Sequence, residues 1–172
     1  MFLALSIAIS GASPLSAIAV DHKLVVQAEP RLERNKRLAR EFYENLWFSD
    51  NTDAYRDYMA DEYVVHDVGE RKGVTEAAIE QKNVADLFHG FGDLTGEIDY
   101  QIAEGDRVAT RWWVSLDTIS EMGRAAGIEP VDRVAIINVF RFDEDGKIVE
   151  VWNHRHDVEL PQPRGTRYER EE

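Results

Sequence analysis

Apolar residues along this chain recur first with helical spacing and later with strand spacing. Leu38, Phe42 and Leu46 stand four residues apart, with Ala39, Tyr43 and Trp47 beside them. That period predicts an amphipathic helix over about 33–48 with a wide apolar face. Asp50-Asn51-Thr52-Asp53 offers an N-cap for a short second helix bearing Tyr55, Tyr58 and Met59. Residues 62–68 read as a short strand and 69–73 as a loop. Thr75 then caps a third helix running through Phe88, with Ile79, Val84, Leu87 and Phe88 inward.

From there the period shortens to two. Leu94, Gly96, Ile98, Tyr100 and Ile102 alternate with Thr95, Glu97, Asp99 and Gln101, which predicts a strand with one buried and one wet face. Glu104-Gly105-Asp106 turns the chain into a second strand over 107–117. Val108, Thr110, Trp112, Val114 and Leu116 share one of its faces; Ala109, Arg111, Trp113 and Ser115 share the other. A loop over 118–130 contains Gly123, Gly127 and Pro130. A long apolar strand over 132–142 follows. The turn Asp143-Glu144-Asp145-Gly146 leads into a last strand over 147–157. Helices first and antiparallel strands later predict an α+β domain.

Composition narrows the function classes. One domain is expected from 172 residues, and 44% hydrophobic with 31% charged residues reads as a globular chain that can bury a core. The net charge of -13 argues against nucleic acid, whose phosphates call for Lys and Arg, and against anionic membrane surfaces. There are no cysteines, so disulfides and thiol chemistry are excluded. Residues 1–20 carry no charge and end in Ala17-Ile18-Ala19, a small-residue pattern suited to signal-peptide cleavage and export to a secreted or periplasmic location. No Lys or Arg precedes the apolar run, so a cytoplasmic protein is the alternative. Gly11 and Pro14 interrupt the run and disfavour a membrane span. Residues 21–32 read as a linker, 33–160 as the domain and 161–172 as a polar tail.

The last strand is the most informative segment. Trp152-Asn153-His154-Arg155-His156-Asp157 carries more polar groups than packing needs. Buried polar groups require partners, so the run suggests a lined cavity rather than a plain core. Alternation places Val149, Val151, Asn153, Arg155 and Asp157 on one face, and Ile148, Glu150, Trp152, His154 and His156 on the other. Both faces are mixed, and a bulge would reset the parity, so the pattern leaves the pocket face open.

Several segments in order resemble the SnoaL-like polyketide cyclases of the nuclear transport factor 2-like superfamily. These are Asn35-Lys36 leading into Phe42-Tyr43-Glu44, then Tyr63-Val64-Val65-His66-Asp67. Gly92-Asp93-Leu94 through Ala103-Glu104-Gly105-Asp106-Arg107-Val108-Ala109-Thr110-Arg111-Trp112 follows, and then Asp145-Gly146-Lys147-Ile148-Val149-Glu150-Val151-Trp152. The resemblance implies a cone: a curved antiparallel or mixed sheet wrapped on about three N-terminal helices and enclosing a pocket. It also implies cofactor-free general acid/base chemistry beside the carbonyl of a small apolar compound, by aldol cyclisation, isomerisation or dehydration. The residue matching the family's acid/base carboxylate is Asp157; its other reading is a salt bridge with Arg155. His66 matches a pocket-wall histidine, and His154 could join it in orienting the carbonyl.

Tyr63, Trp112, Phe140, Trp152, Asn153 and His156 are the expected substrate contacts, although the aromatic ones would serve equally as ordinary core. His156 departs from the family, where an acidic residue is common. His154 and His156 with His66 could ligate a metal, but the family works without one, and neither metal nor cofactor is expected. Related epoxide hydrolases pair an Arg with an Asp two residues on. Here Trp113 follows Arg111 at that distance, so a water-activating Asp-Arg-Asp site is not supported.

A different class of function suits the same fold, namely a non-catalytic ligand-binding or dimerisation module. A homodimer is expected through the open sheet face, with Ala109, Trp113, Val134, Ile136 and Phe140 or their alternates exposed. Residues 1–19 lie outside every periodic element. A chain starting at Asp21 is therefore expected to keep its Tm within a few degrees in a thermal melt, and a large drop would show that the segment packs on the domain.

Overall fold

The computed structural model describes residues 29–66 and 72–155. The expected signal peptide, the polar tail, His156 and Asp157 lie outside those residues. Helix α1 (Arg31–Leu46) begins directly after Pro30, which has no amide hydrogen to satisfy. A 3-10 turn (Thr52–Ala54) runs into α2 (Tyr55–Tyr58), and strand β1 (Met59–His66) follows. Next come β2 (Val74–Ala77), α3 (Ile79–Phe91), β3 (Asp93–Glu104) and β4 (Arg107–Asp117). Then α4 (Glu121–Ala125), β5 (Val131–Phe142) and β6 (Ile148–Arg155) complete the order.

Six strands form one sheet in the order β2-β1-β6-β5-β4-β3. β1 and β6 are parallel, and every other pair is antiparallel. The sheet is mixed and is not closed into a barrel, and with its helices it makes an α+β fold consistent with the expected cone. Two expectations need correction. Residues 74–77 form a strand rather than a helix cap, because Tyr63 and Val65 of β1 pair with Glu76 and Val74. Four residues are too few to display a period. Residues 118–130 contain α4, whose Ser120 hydroxyl accepts the Gly123 amide hydrogen at 3.0 Å.

The core lies between α1 and the inner face of the sheet. Ala39, Phe42, Tyr43 and Leu46 fall on one side of α1, and all are buried. The Tyr43 ring stacks on Phe140, and the Phe42 ring meets Phe140 edge-on at 5.2 Å. Gly96 lets Phe48 lie across β3, since a Cβ there would stand 2.0 Å from the Phe48 ring.

Two register shifts decide which side chains face out. One falls between Ile98 and Tyr100. Ile98 pairs with the inward Trp112, but Tyr100 pairs with Arg111 and Ile102 with Ala109. Tyr100 is therefore 48% exposed and Ile102 63% exposed, against the simple alternation. The other lies between Arg141 and Phe142, opposite the start of β6. Along β5, Ile136 and Phe140 are buried, so they cannot supply the outer patch; Ile137 and Val139 stand there instead.

The outer face also carries a polar knot. Glu150 accepts hydrogen bonds from Arg141 Nε at 2.6 Å and lies 3.0 Å from His66 Nε2 through its other oxygen. His66 stacks on Trp152 with centroids 4.4 Å apart. Burial would raise the Glu150 carboxyl, but the bonds from Arg141 and then His66 outweigh it and hold the group below its ordinary 4.5. A depressed carboxyl contributes stability above its unfolded value, and that contribution is lost as pH falls through the folded value. Glu150→Gln is expected to lower unfolding free energy at pH 7 by ~1 kcal/mol. In urea titrations the difference from the parent should shrink as pH drops below 4.5. An unchanged difference at low pH would show that packing, not charge, is what Glu150 contributes.

Candidate active site

A cavity of about 340 Å³ lies between α1, α3 and the inner face of the sheet. That is the lower end of the range for small-molecule sites. Helix α1 contributes Phe42, Tyr43 and Trp47, because positions 43 and 47 are four apart on its inner stripe. From α3 come Val84, Leu87 and Phe88. Leu87 is 48% exposed, so one wall of the cavity reaches solvent. The sheet supplies Trp112, Ile136, Phe140 and Val151 among others. Among the described residues, no Lys, Arg or His lines the cavity, and Glu76 is its one carboxylate.

The polar groups fall into two sets. In the first, Tyr63 donates its hydroxyl hydrogen to Glu76 Oε2 at 2.8 Å and accepts from Gln81 Nε2 at 2.7 Å. Tyr63 and Glu76 are directly opposed in the β1·β2 pairing, which places the phenol beside the carboxylate. In the second, Asn138 Oδ1 accepts from the Tyr43 hydroxyl at 2.9 Å and from Trp112 Nε1 at 2.8 Å. Burial drives the Tyr43 phenol far above its ordinary value, offset in part by a hydrogen bond with Thr110, so it serves as a neutral donor. Asn153 faces Asn138 across the β5·β6 pairing and also lines the cavity. Its Oδ1 is shielded from solvent and has no hydrogen-bond partner among the described residues.

The structure brings together Tyr63, Trp112, Phe140 and Asn153 of the residues singled out from the sequence. It does not bring His66, Trp152 or His154 to them. Tyr63 and Val65 point into the cavity, so period two sends His66 to the outer face, where it pairs with Trp152. Val151 and Asn153 likewise point inward, which puts Trp152 and the exposed His154 outside. The reading of His66 and Trp152 as cavity wall is corrected by that parity. Arg111 is also on the outer face, paired with Asp99 and lying 4.2 Å from the Trp113 ring centre. His156 and Asp157 lie outside the described residues.

Sequence reasoning missed Glu76, Gln81 and Asn138. Glu76 was hidden because β2 was read as loop and cap; the β-branched pair Val74-Thr75 after Gly73 was the available signal. Asn138 was legible as the lone amide in the run Ile136-Ile137-Asn138-Val139-Phe140, where a polar side chain must find partners.

The profile described as SnoaL-like polyketide cyclase matches residues 37–162. Among solved structures, the chain is similar to a protein assigned as a polyketide cyclase from Acidithiobacillus ferrooxidans. The two share 22% identity over 70% of this chain and 87% of that one, with a TM-score of 0.58. IdmH of Streptomyces antibioticus, also assigned as a polyketide cyclase, is similar at 24% identity over 72% of this chain and 93% of that one, TM-score 0.57. An LEH-like epoxide hydrolase of M. tuberculosis is similar at 18% identity over 73% and 85%, TM-score 0.56. At these identities the likeness speaks for the fold. A comparison with curated protein sequences found no significant match.

Proposed function

The chain belongs to the SnoaL-like polyketide cyclase family, and from that premise we propose that it is a cofactor-free enzyme moving a proton beside a carbonyl. Its substrate is a small, largely apolar carbonyl compound held in the cavity. The observation that carries this reading is the cavity itself: about 340 Å³, walled by aromatic and aliphatic side chains, with a few placed polar groups. Such walls leave a carbonyl inside few polar groups to meet. Aldol cyclisation, isomerisation and dehydration all begin with loss of a proton from the carbon next to the carbonyl.

Asp157 is the proposed proton carrier. Its support is the match to the family's acid/base position near the end of the last strand. Glu76, hydrogen-bonded to Tyr63, is the second carboxylate to test. His66 and His154 stand on the outer face and are given no role in the cavity.

2-Tetralone in deuterium oxide tests the reaction class, because exchange of its α-protons can be followed by proton NMR. The wild type is expected to accelerate exchange. Asp157→Asn keeps the shape, removes the transferable proton, and is expected to slow exchange ~10²–10⁴-fold. His156→Ala should cost far less. If Asp157→Asn exchanges normally and Glu76→Gln does not, the proton carrier is Glu76. Ligand binding without any exchange would identify a non-catalytic binding module on this fold.

We also propose a homodimer joined through the outer face of the sheet. Ile137 and Val139 lie there beside Trp113 and Trp152, and Tyr100 and Ile102 extend the patch toward the edge. Arg111 and Arg133 lie over the Trp113 ring and Arg107 over Trp152, an apolar patch with charged groups about it, as interfaces have. Light scattering at micromolar protein is expected to return twice the chain mass. A mass of 19.7 kDa would sink the proposal.

A further inference from the structure

We infer that the ligand of this cavity carries a hydroxyl group, and that the facing amides of Asn138 and Asn153 bind it. The hydroxyl oxygen accepts a hydrogen from the Asn138 amino group, and its own hydrogen goes to Asn153 Oδ1. The inference rests on the reading of the cavity as a carbonyl-compound site and narrows the substrate to a hydroxylated one.

The two amides have opposite needs. Asn138 Oδ1 accepts from Tyr43 at 2.9 Å and from Trp112 at 2.8 Å. An indole N–H can only donate, so that oxygen must face it. What Asn138 offers a ligand is therefore its amino group, a donor. Asn153 Oδ1 is shielded from solvent and has no hydrogen-bond partner among the described residues. Only a donor can satisfy it, and a second acceptor brought to it would be repelled. Asn138 does not supply that hydrogen, although the two residues are directly opposed in the β5·β6 pairing and line the same cavity. An amide kept at a cavity wall with its acceptor unmet is a poor packing residue, since Leu has nearly its size and no polar atom to leave bare.

A group that joins the two must accept and donate at one place. A carbonyl or carboxylate oxygen meets the first demand and fails the second. An ammonium meets the second and fails the first. A hydroxyl meets both with a single atom. The spacing suits it. A hydroxyl oxygen at ordinary hydrogen-bond distance from two groups spans about 4–5 Å between them. Directly opposed side chains on one face start about 4.5–5.5 Å apart at Cβ. The terminal torsion of an asparagine is broad, so a small turn of the Asn153 amide presents its oxygen to the cavity. Charge requires the hydroxyl to stay protonated. An ionised oxygen would lose the hydrogen that Asn153 needs, and no Lys, Arg or His among the described residues lines the cavity to receive it.

The test uses 2-tetralone and its monohydroxy derivatives, covering every free position of the aromatic ring, each beside the matching methyl ether. The ether keeps the oxygen as an acceptor but has no hydrogen to give. Affinities for the full chain are read by isothermal titration calorimetry. At one ring position the hydroxy compound is expected to bind roughly tenfold more tightly than both its ether and the parent ketone. Asn153→Leu should bring that compound down to the affinity of the parent ketone and leave Tm equal or higher. Asn153→Asp keeps an acceptor and has no amino group, so the preference for hydroxyl over ether should survive it.

If no ring position favours the hydroxyl over both references, or Asn153→Leu leaves the preference in place, the amide pair is not a hydroxyl site, while the cavity reading stands. Loss of the preference in a folded Asn153→Asp protein would show that the amino group of Asn153 holds the ligand, and would also overturn the inference. If none of the compounds binds, the cavity reading fails and this inference with it.

Discussion

One amide oxygen ties the structure together. Asn138 Oδ1, on β5, accepts a hydrogen from Tyr43 of α1 and another from Trp112 of β4. Those two side chains also touch each other, with ring centres 5.1 Å apart, and Tyr43 stacks on Phe140 two residues along β5. Hydrophobic burial brings the helix to the sheet but is indifferent to angle and register. The two hydrogen bonds are not. Removing the acceptor would leave two buried donors unpaired, each costing about 1–3 kcal/mol. The position of α1, and hence of the Phe42 and Trp47 walls, follows from satisfying that one acceptor.

The second constraint is parity. β5 presents Ile136, Asn138 and Phe140 inward and Ile137 and Val139 outward, so the same strand builds the cavity and the outer patch. The shift between Ile98 and Tyr100 then converts β3 from an inward contributor at Leu94 and Ile98 to an outward one at Tyr100 and Ile102. The register shift thus enlarges the outer apolar surface. Glu150, with Arg141 and His66, forms a polar cluster where β1, β5 and β6 meet on the same face.

Much of the fold was legible because its signals were long. Sixteen residues of α1 gave several turns of unambiguous period, and the alternation of Val108, Thr110, Trp112, Val114 and Leu116 located the inner face of β4. Short elements carried no such signal. β2 has four residues with exposed positions at Val74, Thr75 and Ala77, and α4 has five. Missing β2 concealed Glu76 and the pairing that sets it against Tyr63. The cavity aromatics could be named from the sequence because bulky apolar residues at inward parity have few other places to go. His66 could not be placed, since Tyr63-Val64-Val65-His66 is apolar on both faces and only the neighbours fix its direction. The last strand was ambiguous for the same reason, and its parity emerged only from the pairing of Asn153 with Asn138.

The charge of the whole chain and the chemistry of the cavity constrain the ligand jointly. A net charge of -13 surrounds a site that offers, among the described residues, one carboxylate and no cation. An anionic ligand would cross an unfavourable field and find no counter-charge inside, where low dielectric makes the omission costly. A neutral ketone meets neither penalty. In the proposed reaction it would become anionic only as its proton leaves. A site with fixed dipoles and no fixed cation binds the neutral ground state without overcommitting to it.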